Sequence, residues 1–190
     1  MKKIIATITM EDLQKFELEL YPEYAPNTVY NFADLANSGF YDGLPFQRIK
    51  KDWVLQGGST DGTCTSDSEF SIKGEFLVNG VENLIKHVKG TISMARYDHC
   101  DSQAVQFFIV HKDIASELDG KYSAFGKLVS GYTLLEELAN VPTDERPGKF
   151  NAPFTPVIIK SIRVEDEGNI LKKPERIVPA VSKEYTGNAS

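Results

Sequence analysis

Apolar and polar residues alternate with period two over residues 3–9 and again over 15–20, where Phe16, Leu18 and Leu20 share one face. That is the spacing of half-buried strands. The acidic Glu11-Asp12 stretch between them suits a hairpin connection. The period then changes: after Pro26-Asn27-Thr28, residues Val29, Phe32, Ala33, Leu35 and Ala36 fall at helical spacing, and Asn37-Ser38-Gly39 closes the segment. A helix of about three turns is expected there. Beyond Gly43, short apolar runs return at 46–49, 53–56, 91–94, 107–110, 124–129 and 157–164, separated by Gly, Asp, Ser and Thr. Leu134, Leu135 and Leu138 mark a second short helix over 133–139. Eight strand candidates with two helices predict a mainly β fold, a closed eight-stranded antiparallel β-barrel capped by two α-helices.

Two connections are long. Residues 57–89 carry little periodicity, and loops of that length in compact domains usually serve function or move. Beyond Asp166 the chain turns Lys/Glu/Pro-rich and ends in Thr186-Gly187-Asn188-Ala189-Ser190. The organisation expected is a domain over 1–168 and a C-terminal extension over 169–190 outside the barrel, as a pinned arm or, favoured on composition, a frayed tail. The Met1-Lys2-Lys3 start and the apolar run after it imitate a signal peptide. That run carries two threonines and meets Glu11-Asp12 without a small-residue cleavage site, so a first strand is the better reading.

Charge and cysteine content narrow the class. With 21 basic against 27 acidic residues in 190 and a net charge of −6, the chain lacks the basic patches of a nucleic-acid binder. Two cysteines suit reduced thiols in a cytoplasm better than a disulfide scaffold. No stretch has the 18 or more apolar residues of a membrane helix. The phosphate-loop, dinucleotide and nucleophile-elbow glycine patterns are missing. His87, His99 and His111 form no His-Glu-x-x-His pattern. Cys64, His87, His99 and Cys100 could be gathered into a zinc set, but no Cys-x-x-Cys pair supports it. Exposed loop histidines beside a loosely buried cysteine are the preferred reading, and no cofactor is implied.

What remains is a set of polar side chains among aromatic strands: Arg48 after Phe46, Gln56 before Gly57-Gly58, Gln106 before Phe107-Phe108. Each alone reads as a solvated strand residue. Together they suggest a shallow apolar groove with a few placed polar groups. Alternation lets at most one of Phe107 and Phe108 face that groove, so Phe108 is placed outward and Phe107 inward.

The motifs Phe46-Gln47-Arg48-Ile49, Gln56-Gly57-Gly58, Gly90-Thr91-Ile92-Ser93-Met94-Ala95, Gln106-Phe107-Phe108-Ile109, Leu118-Asp119-Gly120-Lys121-Tyr122 and Phe125-Gly126-Lys127 stand in this order. With Ala25-Pro26-Asn27-Thr28-Val29 before the first helix, the chain resembles the cyclophilins, peptidyl-prolyl cis–trans isomerases, and bacterial members in particular. The resemblance implies Arg48 as catalytic arginine, with Gln56 and Gln106 holding the peptide backbone. It implies a proline pocket walled by Trp53, Val54, Phe108 and Leu118, Tyr122 at its edge, and a neighbouring groove lined by Ala95 and Arg96. Implied partners are proline-containing peptides and folding proteins, and a monomer is expected. The chain departs from the family at Trp53 (usually Phe), at Val105 (usually a small hydroxyl residue), at Arg96 (often Asn) and at Glu117, where drug-sensitive members carry Trp. Weak rather than tight cyclosporin binding is therefore expected. Two other functions fit parts of the pattern: a proline-binding module without turnover, and a barrel enclosing a small apolar ligand.

Overall fold

The computed structural model describes residues 2–65, 68–113 and 115–183. Each of the eight expected strands forms, three with the expected ends and five with ends shifted by one or two residues. They are β1 (Ile4–Met10), β2 (Lys15–Leu20), β3 (Arg48–Lys50), β4 (Val54–Gly57), β5 (Thr91–Met94), β6 (Phe107–Val110), β7 (Ala124–Ser130) and, after a small ribbon of β8 (Thr143–Asp144) and β9 (Ala152–Pro153), β10 (Ile159–Asp166). The large sheet runs β10-β1-β2-β7-β5-β6-β4-β3, every pair antiparallel. Its inward positions, among them Ala6, Ile8, Phe16, Leu18, Leu55, Ile92, Phe107, Ile109, Phe125 and Ile162, make one buried core.

The expectation of a closed barrel needs correction. The edge strands β3 and β10 share no ladder, so the sheet is curled rather than closed. The seam is stitched by the residues just before β3: Gly43 N–H donates to Ile159 O at 2.8 Å, Ile159 N–H to Leu44 O at 2.9 Å, and Phe46 N–H to Val157 O at 2.8 Å. Pro45 sits in the middle of this stretch, opposite Ile158 in a single isolated bridge.

Both expected helices form, α1 (Pro26–Asn37) and, after the single turn α2 (Ala115–Leu118), α3 (Tyr132–Ala139). Pro26 at the first helical position is preset for a helix start, but Ala25 offers no side-chain cap. The cap comes from 47 residues downstream. The buried Glu75 carboxylate accepts from Asn27 N–H at 3.1 Å, Thr28 N–H at 2.7 Å and the Thr28 hydroxyl at 2.7 Å. Glu75 N–H in turn donates to Ser123 Oγ at 2.8 Å, and the Ser123 hydroxyl donates to Gln103 Oε1 at 2.7 Å. This network ties the long 57–89 connection to the barrel. Glu75→Ala strips the helix end of three hydrogen bonds to a charged acceptor. It is expected to cost about 1.5–3 kcal/mol of unfolding free energy, read from urea denaturation.

Of the extension, residues 184–190, including the Thr186-Gly187-Asn188-Ala189-Ser190 end, lie outside the described residues. Residues 169–183 make the contacts of a pinned arm. Ile170 and Leu171 pack on the core, the Asn27 side chain bonds the Glu175 backbone in both directions at 2.9 and 2.8 Å, and Ser71 and Ile177 exchange backbone hydrogen bonds. Composition hid this arm because its partners lie about a hundred residues or more upstream.

Candidate active site

Strand register builds the site. Arg48 pairs with Gln56 across β3–β4, Gln56 with Phe108 across β4–β6, and Phe108 with Ser93 across β6–β5. Antiparallel partners share a face, so these four residues form one row across the outside of the barrel. One step along β6, Phe107 points inward and is fully buried against Phe32, Tyr41 and Phe46.

On the outer face Val54, Phe108, Val110 and Leu118 make a second apolar cluster, with Trp53, Ala95 and Tyr122 packed against it half-buried. Leu118 reaches it from α2, and the Tyr122 ring meets Phe108 edge-on at 5.9 Å. The Lys50 ammonium lies 5.8 Å over the Trp53 ring. Beside this apolar floor stand the polar groups. Gln56 Nε2 donates to Gln106 Oε1 at 2.9 Å, and the Arg48 guanidinium reaches Gln56 Oε1 through Nη1 at 3.4 Å. Arg48 Nε is, among the described residues, the one buried side-chain nitrogen or oxygen without a hydrogen-bond partner. An orphaned buried donor costs ~1–3 kcal/mol.

The family profile "cyclophilin type peptidyl-prolyl cis-trans isomerase/CLD" matches residues 5–164. The chain belongs to that family. Peptidyl-prolyl cis-trans isomerase B of Bacillus subtilis is 44% identical over 131 residues, 69% of this chain and 87% of the relative. Peptidyl-prolyl cis-trans isomerase A of Dickeya dadantii is 35% identical over 152 residues, 78% of each chain. A Cryptosporidium parvum cyclophilin solved in the presence of the dipeptide Ala-Pro superposes with a TM-score of 0.74 at 27% identity, covering 85% of this chain and 98% of the other. The protein is thus a cyclophilin-type peptidyl-prolyl cis-trans isomerase. Among its described residues no helix is long and apolar enough to cross a membrane.

The fold gathers all ten residues singled out in the sequence into one neighbourhood, but Arg96 is placed differently from the others. Its guanidinium donates to three carbonyls, Lys121 O at 2.8 Å, Tyr97 O at 2.7 Å and Asp98 O at 3.0 Å, and lies over the Phe76 and Tyr122 rings. It clamps the loop after β5 against the turn after α2. Cys64 and Cys100 are free and half-buried. Burial pushes the Cys64 thiol up despite the opposing pull of Arg48, so it is a poor thiolate.

Three residues escaped the sequence reading. Gln47 is buried, its amide 2.9 Å from Gln106 Oε1; its place between Phe46 and Arg48, just ahead of β3, was the available signal. His87 is not an exposed loop histidine but 1% accessible, stacked 6.1 Å from Phe108. Its Nδ1 lies 3.0 Å from Asp119 and its Nε2 3.0 Å from the third missed residue, Ser93. Asp119 as a carboxylate can only accept, so Nδ1 carries the proton and the Ser93 hydroxyl donates to Nε2. The Ser-His-Asp order imitates a hydrolase triad, yet Ser93 is fully buried and no acyl group can reach it. The three fix the underside of Phe108 instead. His111 is buried as well, its Nδ1 accepting from Asp52 N–H at 3.0 Å.

Burial lowers the His87 pKa below 6.5, with Asp119 opposing. Burial would raise Asp119, but the hydrogen bonds from His87 and Lys86 outweigh it and hold that carboxyl below 3.8. Because folded His87 binds its proton less readily than unfolded, its contribution to stability is present above about pH 6.5 and is lost as pH falls toward the folded pKa. Asp119 acts in a separate window below pH 3.8. A falling melting temperature from pH 7 to 5, flattened in His87→Asn, is the expected result of thermal scans.

Proposed function

We propose that this chain accelerates X-Pro rotation by donating a hydrogen bond from Arg48 to the prolyl nitrogen in the twisted transition state. An X-Pro bond crosses a barrier of ~18–20 kcal/mol because twisting breaks amide resonance, and uncatalysed exchange takes roughly 10–100 s. A turnover of order 10³ s⁻¹ requires about 5–7 kcal/mol off that barrier. No bond is made or broken, so the chemistry asks for neither nucleophile nor proton relay. In the twisted state the prolyl nitrogen becomes pyramidal and regains its lone pair. A donor to that lone pair has no counterpart in the planar ground state, and only such differential binding lowers a barrier. One preorganised donor is worth about 2.7–4 kcal/mol by analogy with oxyanion holes. The remainder comes from seating the proline ring on Phe108, Leu118, Val54 and Trp53 while Gln56 and Gln106 hold the flanking amides.

The observation that carries this reading is the half-buried Arg48 guanidinium, steadied by Gln56 at the edge of an apolar pocket. The substrates proposed are proline-containing peptides and folding chains, in line with the Ala-Pro present with the Cryptosporidium relative. The unbridged thiols suit a cytoplasmic setting, and Glu117 ahead of Leu118 is read as weakening cyclosporin. A pure proline-binding module is the rival, and it has no use for a transition-state donor. A chymotrypsin-coupled assay of an Ala-Pro-Phe peptide at low temperature decides. Acceleration by the wild type supports isomerisation; peptide binding without acceleration supports the module.

A further inference from the structure

The edge strand β3 carries two cations on one face. Arg48 and Lys50 stand two residues apart on it, so both side chains project outward, from positions about 6.6 Å apart along the strand. Register gives Lys50 a row of its own. It pairs with Val54 across β3–β4, and Val54 pairs with Val110 across β4–β6. Both valines belong to the apolar cluster that floors the proline pocket. This row lies beside the one from Arg48 through Gln56 to Phe108, on the side of Phe108 away from Gln106.

The Lys50 side chain is exposed yet placed. Its ammonium lies 5.8 Å over the Trp53 ring, inside the ~6 Å reach of a cation–π contact, which holds the charge at the pocket rim. Neighbouring cations are committed elsewhere. Lys51 Nζ donates to Asn140 Oδ1 at 2.6 Å, and Lys112 lies 3.5 Å from the Asp52 carboxylate. Among the described residues no hydrogen bond or ion pair claims the Lys50 ammonium. Glu117, the acidic residue of α2 beside Leu118, forms no ion pair with it.

We propose that Lys50 is a specificity-determining residue, selecting peptides with an acidic side chain next to the proline on the flank that leaves the pocket over Trp53. The inference rests on the isomerase reading above and names a substrate class for that same site. Reach supports it: consecutive Cα atoms are about 3.8 Å apart, so a glutamate adjoining a proline seated at Arg48 meets the lysine stem over Trp53. Charge supports it too. The chain carries a net charge of −6 and repels acidic peptides at long range. A preference for acid must come from cations at the site, and Lys50 is the one that the chemistry at the prolyl nitrogen leaves free. An exposed ion pair favours its partner by a factor of roughly 1.4–5, so Glu is expected to exceed its neutral isostere Gln about threefold and Lys about tenfold.

The test uses the full chain and protease-free exchange NMR on peptides carrying Glu, Gln or Lys before or after the proline. Wild type at low salt is expected to rank Glu over Gln over Lys in kcat/KM at one of the two positions. That ranking is expected to collapse in about 1 M NaCl, where the screening length is about 3 Å. Lys50→Glu is expected to invert it and Glu117→Gln to widen it. Lys160→Glu, on β10, makes the same change in net charge and is expected to keep the wild-type order. Melting temperatures accompany each variant. A wild type indifferent to charge at both positions overturns the inference alone. So does a Lys50→Glu variant that keeps the wild-type order, or a Lys160→Glu variant that inverts it equally. A wild type that binds peptides but accelerates none overturns the isomerase reading, and the inference falls with it.

Discussion

Arg48→Lys loses about 10²–10³ in kcat/KM, the value of one preorganised donor of about 2.7–4 kcal/mol, with little change in melting temperature. Lysine keeps the charge but not the planar fork that lets one edge rest on Gln56 while another nitrogen faces the pocket. In the free protein Nη1 already leans on Gln56 Oε1 at 3.4 Å, and Nε is buried without a partner. Replacing the side chain thus removes an unsatisfied donor together with one long hydrogen bond to Gln56, so little stability is lost. Arg48→Ala in the same coupled assay separates roles: peptide affinity stays within a few-fold of wild type while acceleration disappears, because the bond exists only in the transition state. Near wild-type turnover in either variant would remove Arg48 as the donor.

The adjacent pair Phe107 and Phe108 is expected to split stability from activity. Phe107 is completely enclosed, its ring 5.4 Å from Phe32, 5.4 Å from Tyr41 and 6.0 Å from Phe46. Phe107→Ala leaves a void that close-packed aromatics on all sides cannot collapse into, and about 3–5 kcal/mol of unfolding free energy is lost. Phe108 belongs to a cluster of four buried residues with half-buried neighbours, where the groove relaxes toward solvent. Phe108→Ala therefore costs less stability but removes the surface against which the proline ring is held, and kcat/KM drops at least tenfold. Urea denaturation and the coupled assay, run on both variants, read the two effects. Equal activity loss in both at a temperature where each is folded would contradict the assigned faces.

The opposite facing of these two phenylalanines is legible in the sequence, because strand alternation is a local property: two consecutive residues cannot share a face. The same locality explains why the eight strands and both long helices are readable from apolar spacing, and why Arg48, Gln56, Gln106 and Phe108 group by motif. The one-turn helix α2 and the β8–β9 ribbon are too short to leave a periodic trace.

Partners distant in sequence come from the tertiary structure. Nothing near Ala25 announces that Glu75 caps α1, and nothing near His87 announces Asp119 and Ser93, since a buried polar residue looks like an exposed one until its environment is known. That the edge strands β3 and β10 meet through a few hydrogen bonds rather than a ladder is visible only once the segment before β3 lies beside β10. The arm reads as a charged tail until Asn27 and Ser71 meet it. By itself the sequence determined the strands, their faces and the identity of the groove's polar and aromatic side chains, all set by short-range periodicity and residue chemistry. Tertiary structure alone decided which donor is left unsatisfied, which histidine lies beneath the pocket and which lysine at its rim stays unpaired, because each depends on contacts between segments far apart along the chain.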